Sequence, residues 1–378
     1  MKVLQVLPCL NSGGVERGTL DFARSLVAGG HQSLVMSSGG RLQAQLEQEG
    51  SRHVRFAVHA KSPLSLLRVP ALRRLLLALA PDVIHVRSRV PAWMVWLALK
   101  PLPARQRPLL VSTFHGLYSV SLYSAIMGCG DRVIAISECV RDYILRHYPQ
   151  VDPARIQVIP RGADTSQFCG PGSPDWDASA HQQWRTRFDR ELPATVGRPL
   201  LLMPGRLSPW KGQHEFIDLI ADLQRAGIDC SGLIVGEPTP GKERYLHELR
   251  ERAAAEGLAE RLYFPGHRDD MDHLYIRSNL VFNLSRKAEP FGRTVIEALA
   301  VGTPVVSWDE GGPAESLREA FPQGLVAQGD RTALAQRVGE LLAAPPPAPQ
   351  LPPQFTLQAQ AEATLAVYRE GLAAREQG

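Results

Sequence analysis

The chain has 378 residues, of which 44% are hydrophobic and 21% charged, so it is long enough for about two domains of roughly 100–200 residues. No stretch approaches the about 20 apolar residues of a transmembrane helix, and the N-terminal segment lacks the cleavage site of a signal peptide. Five scattered cysteines without CxxC spacing argue against a disulfide framework or a structural zinc site and favour a reducing cytoplasm.

The net charge of +4 is distributed unevenly. Residues 1–165 carry 20 Lys and Arg against 10 Asp and Glu, a net +10, and the rest carry 22 against 28, a net −6. A basic half of this kind can face an anionic partner. The alternative is a solvated basic surface without a partner.

In the first half, short apolar runs alternate with helical patterns. The first helix is predicted from about Val15 to Ala28, after a loop rich in Asn, Ser and Gly. The predicted strands are Val3–Leu7, Ser33–Met36, Asp82–Val86, Leu109–Thr113, Arg132–Ile136 and Gln157–Ile159. Alternating strands and helices indicate a mainly parallel sheet with helices on both faces.

The same pattern restarts after residue 198. Residues 170–198 are predicted to connect two domains, and the Pro-rich segment Pro345–Pro353 precedes a last helix at about Thr356–Ala374. The predicted strands are Pro199–Met203, Leu233–Val235, Leu262–Phe264, Leu280–Leu284 and Pro304–Ser307. We therefore predict an α/β fold of two Rossmann-like domains, 1–168 with the helix 354–376 and 169–353, that face each other across a cleft and bind ligands at strand carboxyl ends.

The strongest motif is Glu289-Pro-Phe-Gly-Arg-Thr-Val-Ile-Glu297, which lies between a predicted strand and the helix that follows. Free N–H groups and the dipole at the start of this helix can hold a phosphate or sugar hydroxyls. Glu297, one turn into the helix, would reach a ribose diol, and Glu289 would accept hydrogen bonds from a sugar. A capped helix with two incidental acids is the alternative.

The stretch SRKAEPFGRTVIEALAVGTPVVSWDEGGPAE resembles the donor-site signature of retaining GT-B glycosyltransferases of family 4 (glycosyltransferase group 1). Glu289 and Glu297 match the family's E-x7-E motif, and Gly311, Gly312 and Glu315 match its GGxxE turn. The resemblance implies a GT-B fold, a C-terminal helix that crosses back to the N-terminal domain, a nucleotide-sugar donor and retention of anomeric configuration. No cofactor is expected; a UDP-sugar is the favoured substrate, with GDP- and ADP-sugars as alternatives.

A second motif, Gly205-Arg-Leu-Ser-Pro-Trp-Lys-Gly212, follows a predicted strand. Its cations Arg206 and Lys211 could stabilise the charge that develops on a diphosphate leaving group. In the family the matching residues bind the donor's phosphates, and no DxD is suitably placed here, so we predict a metal-independent reaction. Solvated surface cations are the alternative.

Three further motifs gain roles from the resemblance. A glycine loop at Gly13 and Gly14, permissive for close backbone approach, would contact the donor sugar or phosphate. His115, at the end of a predicted strand, would contact the transferred sugar. Arg161 stands where the family usually has Asn and could contact a phosphate or the acceptor, or be a salt-bridged hinge residue.

The remaining predicted donor contacts also follow from the resemblance. The loop Gly266-His267-Arg268 would frame the nucleobase, read mainly by main-chain groups. The turn and helix start of the E-x7-E motif would complete the donor site with Pro290, Phe291, Gly292, Arg293 and Thr294. With Glu289, His115, Arg206 and Lys211, these residues form the predicted catalytic and donor-binding set.

The segment Leu64–Ala80 is Leu-rich and contains three Arg and no acid, with Trp93 and Trp96 nearby in the sequence. A basic amphipathic segment can lie on an anionic bilayer, which predicts peripheral association with the inner face of the cytoplasmic membrane. Pro70 interrupts the segment, however, and Leu at helical spacing is also typical of a core.

Together these features predict a retaining glycosyltransferase that moves a sugar from a nucleotide-diphosphate donor to an anionic glycan or glycolipid. Relatives of this kind suggest lipopolysaccharide-core or other cell-surface polysaccharide synthesis in a bacterium, with no nucleic-acid partner. The alternatives are a GT-B sugar epimerase and a non-catalytic nucleotide-sugar-binding protein; a phosphorylase would need a pyridoxal lysine and a longer chain.

Overall fold

The computed structural model describes residues 1–11, 13–59 and 63–376, without the side chains of Pro63 and Leu64. Ser12 of the glycine loop and the side chain of Leu64, at the start of the Leu-rich segment, therefore lie outside the described residues. The chain forms two compact units, Met1–Arg161 with the C-terminal segment from Leu357, and Gly162–Thr356. We call them the N-terminal and the C-terminal unit.

The N-terminal unit is built on a parallel sheet of seven strands in the order β3-β2-β1-β4-β5-β6-β7. Its strands are β1 Lys2–Val6, β2 Gln32–Ser37, β3 Arg52–Arg55, β4 Val83–Val86, β5 Leu109–Phe114, β6 Arg132–Ala135 and β7 Ile156–Val158. Its helices are α1 Gly14–Ala28, α2 Gln43–Gln48, α3 Val69–Leu79, α4 Arg89–Leu99, α5 Leu122–Ala125, α6 Glu138–His147 and the C-terminal α14 Leu357–Glu376.

The C-terminal unit has a second parallel sheet, in the order β10-β9-β8-β11-β12-β13. Its strands are β8 Leu200–Pro204, β9 Ser231–Val235, β10 Leu262–Gly266, β11 Leu280–Asn283, β12 Val305–Trp308 and β13 Leu325–Val326. Its helices are α7 Ala178–Glu191, α8 Gln213–Arg225, α9 Arg244–Ala255, α10 Met271–Arg277, α11 Arg293–Ala300, α12 Gly311–Ala320 and α13 Arg331–Ala343.

The predicted α/β class, with two parallel Rossmann-like sheets, is confirmed. Strands β3 and β13 were not predicted, because β3 reads Arg-His-Val-Arg and β13 has only two residues. The segment 170–198 is more than a connection. It contains α7, whose Trp184 and Phe188 are buried in the core of the C-terminal unit.

The C-terminal helix α14 belongs to the N-terminal unit, as predicted. Tyr368 of α14 packs edge-on against Phe22 of α1, with ring centroids 5.9 Å apart. Its hydroxyl also lies 2.6 Å from His85 Nδ1, and His85 Nε2 lies 2.6 Å from the hydroxyl of Thr113. Both His85 nitrogens thus bond to protein groups, and this buried histidine ties the helix to the sheet.

The Leu-rich segment is divided between core and surface. Pro70 lies in the first turn of α3, a position where proline is favoured, and α3 buries Val69, Leu72, Leu76 and Leu79. Leu66, Leu67 and Leu77 remain exposed. Among the described residues, no helix is both long enough and apolar enough to span a membrane.

Candidate active site

In the C-terminal unit, the predicted donor residues follow the carboxyl ends of neighbouring parallel strands. β8 lies between β9 and β11, and β12 follows β11. The segments after these strands therefore share one edge of the sheet, where ligands bind in open α/β sheets.

The loop after β8 is held against the segment after β11. Gly212 has a φ of 86°, and a Cβ there would lie 1.9 Å from the carbonyl oxygen of Leu284, so a side chain is excluded. The amide of Arg286 donates to the carbonyl of Trp210 at 2.8 Å. These contacts place Lys211 beside the E-x7-E motif.

Lys211 and Glu289, 78 residues apart in sequence, form an ion pair of 2.5 Å between Nζ and Oε1. The other carboxylate oxygen of Glu289 accepts hydrogen bonds from the side chains of Asn283 and Ser285, each at 2.9 Å. Burial alone would raise the pKa of Glu289, but Lys211 and the two neutral donors outweigh it and hold the pKa below its ordinary value. Glu289 is therefore a fixed anion that orients the Lys211 ammonium.

Asn283 and Ser285 were not identified from the sequence. Both lie in the run Phe-Asn-Leu-Ser at the carboxyl end of β11. Polar residues at a strand end were the sequence signal that could have identified them. Arg206, by contrast, is exposed, and no ion pair or hydrogen bond of its guanidinium is found among the described residues. It is available to an anionic ligand.

The turn before α11 is fixed by glycines. Gly292 has a φ of 88°, and a Cβ on Gly312 would lie 2.4 Å from the Cα of Phe291. The amide of Gly312 donates to the carbonyl of Glu289 at 2.8 Å. The residue before α11 is Gly292, which has no side chain that could bond to the start of the helix. The amides at this start, which include those of Arg293 and Thr294, therefore favour an anion.

Glu297 lies in the second turn of α11 and is nearly buried. Its carboxylate accepts from the Tyr275 hydroxyl at 3.0 Å and pairs with Arg293 at 3.3 Å. Burial raises the pKa of Glu297 despite these two partners. Tyr275, which was not predicted, limits the orientation of this carboxylate.

The predicted nucleobase loop follows β10. The amide of Gly236 donates to the carbonyl of Gly266 at 2.9 Å, which fixes the loop to the end of β9. The Arg268 guanidinium is engaged by Asp270, at 2.7 and 2.9 Å, and by Glu191 at 2.6 Å. Nε2 of the exposed His267 lies 3.1 Å from Oδ1 of Asp269. This leaves main-chain groups of the loop as the available contacts.

In the N-terminal unit, the structure brings together the glycine loop, His115 and Arg161. Arg161 donates to the carbonyl of Gly14 and to Nδ1 of His115, both at 2.9 Å. Burial has the largest effect on the pKa of His115 and the Arg161 cation the next largest, and together they hold it well below its ordinary value. His115 is therefore neutral with its proton on Nε2, and this buried nitrogen has no partner among the described residues.

Two family models match the sequence in succession. The model described as "Glycosyltransferase Family 4" matches residues 12–167, and "Glycosyl transferases group 1" matches residues 185–355. A D-inositol 3-phosphate glycosyltransferase of Salinispora tropica is 33% identical over 219 residues, which are 56% of this chain and 44% of the relative. The lipopolysaccharide core biosynthesis mannosyltransferase LpsB of Rhizobium meliloti is 29% identical over 174 residues, 46% of each chain. The matches thus span about half the length of these relatives.

Solved structures match over the whole chain. A glycosyltransferase from Rickettsia africae has a TM-score of 0.85 and 28% identity over 98% of both chains. Anabaena HepE, in complex with UDP and glucose, has a TM-score of 0.73 and 23% identity over 100% of this chain and 97% of its own. The backbone fold is therefore shared with both.

Proposed function

Since the chain belongs to glycosyltransferase family 4, group 1, and has the GT-B fold, we propose that it transfers a hexose, with retention of anomeric configuration, from a nucleotide-diphosphate sugar to a glycan or glycolipid. The favoured donor is a UDP-sugar. The observation that carries this proposal is the Lys211–Glu289 pair near the start of α11, with the exposed Arg206 on the same loop as Lys211. Two cations and a helix start suit a diphosphate.

In this proposal each group of the C-terminal unit has one task. Arg206 and Lys211 neutralise the charge that develops on the diphosphate as the glycosidic bond breaks. Glu297 accepts hydrogen bonds from the ribose, and main-chain groups of the Gly266–Arg268 loop contact the base. Glu289 and the amides near Phe291 and Gly292 hold the sugar, while Gly13, Gly14 and His115 of the N-terminal unit contact the sugar or its phosphate.

A thermal-shift series with UDP, GDP, ADP and CMP tests the donor. At 100 times its dissociation constant, the cognate nucleotide is expected to stabilise the protein by about 2.7 kcal/mol. UDP is the expected ligand, and the complex of the fold relative HepE with UDP and glucose supports this choice. A larger shift with GDP or ADP would assign a different donor base, and no shift with any of the four would contradict nucleotide binding.

The proposed acceptor is an anionic glycan or glycolipid of a bacterial cell surface. The net +10 of residues 1–165 and the similarity to LpsB support this class, which includes lipopolysaccharide core. Product analysis separates the alternatives. An epimerase converts the donor without an acceptor, and a binding protein releases no nucleotide from it.

Transfer is expected to survive EDTA, because Arg206 and Lys211 would neutralise the diphosphate that a divalent cation neutralises in other glycosyltransferases. Initial rates are measured with UDP-glucose after dialysis against EDTA, and again after addition of magnesium or manganese. Rates that agree within about twofold support the assignment of the two cations. Loss on chelation and recovery with metal would contradict it.

Binding to anionic vesicles is expected to depend on an exposed surface made by Leu66, Leu67 and Arg74. Arg73 is a poorer candidate, because it donates to the carbonyl of Ala98 at 2.8 Å and so fixes α3 to α4. Exposed charges are screened over about 10 Å at 0.1 M salt, and each basic residue near the surface contributes about 1 kcal/mol. We therefore expect flotation with anionic liposomes to fall as salt rises, and to fall further in a Leu66→Ser/Leu67→Ser/Arg74→Gln variant.

Neutral liposomes are the control for this experiment. Equal binding to neutral and anionic vesicles would leave only an apolar contribution. Absence of binding to either would contradict membrane association and favour a soluble acceptor.

A further inference from the structure

Arg87, the residue that follows β4, carries a buried charge without a counterion among the described residues. The residue is 4% exposed, and its Nε has no hydrogen-bond partner within the described part of the chain. The guanidinium lies over the ring of Phe22, whose centroid is 5.7 Å from Cζ. Burial lowers the pKa of Arg87 to about 10, although Tyr368 and Asp21 act against this from a distance.

A buried cation without an ion pair is costly, since desolvation is not repaid by an opposite charge. No carboxylate among the described residues lies within ion-pairing distance of Arg87. A structural arginine would be expected to have such a partner. We therefore expect an anionic ligand to supply the missing counterion of Arg87.

A second arginine, Arg89, lies two residues further along. Its Cζ is 4.9 Å from the ring centroid of Tyr118 and 5.2 Å from that of Tyr123. Its one described side-chain hydrogen bond is to the hydroxyl of Ser124, at 3.1 Å. Contacts between a guanidinium and two rings fix its plane and leave its other N–H groups available for an anion.

These two arginines lie at the same end of the sheet as the glycine loop and His115, the end formed by the carboxyl ends of the strands. The amide of Arg87 bonds to Val6 at the end of β1, and Val86 pairs with Ser112 of β5. Arg87 is close enough to His115 to lower its pKa further, after burial and Arg161. Arg161 and Arg87 therefore both place positive charge near the His115 ring.

We propose that Arg87 and Arg89 bind a phosphate group of the acceptor substrate. Arg87 would supply the charge, and Arg89 would supply a rigid pair of donors, which matches the bidentate geometry that phosphate favours. This proposal rests on the proposed glycosyl transfer and narrows its acceptor to a phosphorylated one. The same cations could instead meet the donor's diphosphate, and the experiment separates these two sources.

The experiment uses the full chain and inorganic phosphate as the probe, with saturating UDP present to occupy the donor site. Chloride at matched ionic strength is the reference. We expect phosphate to raise the melting temperature of the wild type, and Arg87→Met and Arg89→Gln each to weaken the apparent phosphate affinity at least tenfold. We expect both variants to bind UDP within about twofold of the wild type in calorimetry. Arg105→Met, which removes an exposed arginine of the same unit, is expected to keep the wild-type phosphate response.

Each contrary result has a definite meaning. If saturating UDP abolishes the phosphate response of the wild type, or if Arg87→Met loses UDP affinity tenfold, the cations serve the donor and the acceptor assignment is wrong. If Arg87→Met melts several degrees below the wild type in phosphate-free buffer and keeps its phosphate affinity, Arg87 is structural. If the wild type does not bind UDP, the proposed donor fails on its own, and the comparison of Arg87→Met with the wild type still decides whether phosphate binds here.

Discussion

Lys211→Met is expected to lower the turnover number of sugar transfer by about 10²–10³-fold, the usual cost of removing one preorganised group that stabilises transition-state charge. Two effects combine in this variant. The leaving diphosphate loses a cation, and Glu289 loses the partner that keeps its pKa low. A carboxyl that becomes protonated would also no longer hold the substrate in the same way.

A matched control exists in the other unit. Lys100 lies 4.8 Å from the ring centroid of Trp96, as Lys211 lies 4.5 Å from that of Trp210, so Lys100→Met removes the same charge and a similar ring contact. It is expected to keep wild-type turnover. Turnover of Lys211→Met within about threefold of the wild type would show that this lysine does not stabilise the leaving group.

Glu297→Ala is expected to weaken UDP binding by about 10–100-fold, because a hydrogen bond to a charged group contributes about 1.5–3 kcal/mol. Glu289→Ala is expected to bind UDP within about threefold of the wild type while losing sugar transfer, since Glu289 is assigned to the sugar. Calorimetry with UDP alone, followed by transfer assays with UDP-glucose, compares the two variants.

The geometry requires a further variant, because Glu297→Ala also leaves the Tyr275 hydroxyl without its acceptor. Glu297→Gln keeps an oxygen for Tyr275, but it removes the charge and replaces the other oxygen, which faces Arg293, by an NH2 group. If it weakens UDP binding as Glu297→Ala does, the carboxylate itself contacts the ribose. Equal loss of UDP affinity in the Glu289 and Glu297 variants would show that the two roles are assigned wrongly.

The sequence by itself determined the two-sheet α/β architecture, because strand and helix periodicities are local properties of ten or so residues. It also located the loops at Gly205–Gly212 and Glu289–Glu297, since glycines, cations and acids at fixed spacing after a strand are typical of loops that bind anionic ligands. Polar edge strands such as β3 carry no such local signal.

Only the tertiary structure decided which side chains meet. The partner of Glu289 is Lys211, 78 residues away, and His85 and His115, alike in sequence as histidines near strand ends, differ in environment. The hydroxyl of Tyr368, 283 residues away, hydrogen-bonds with His85 Nδ1. Nε2 of His115, by contrast, has no partner among the described residues. Hydrogen bonds and ion pairs need atoms within about 3–4 Å, and the packing of strands and helices, rather than spacing along the chain, brings atoms that close.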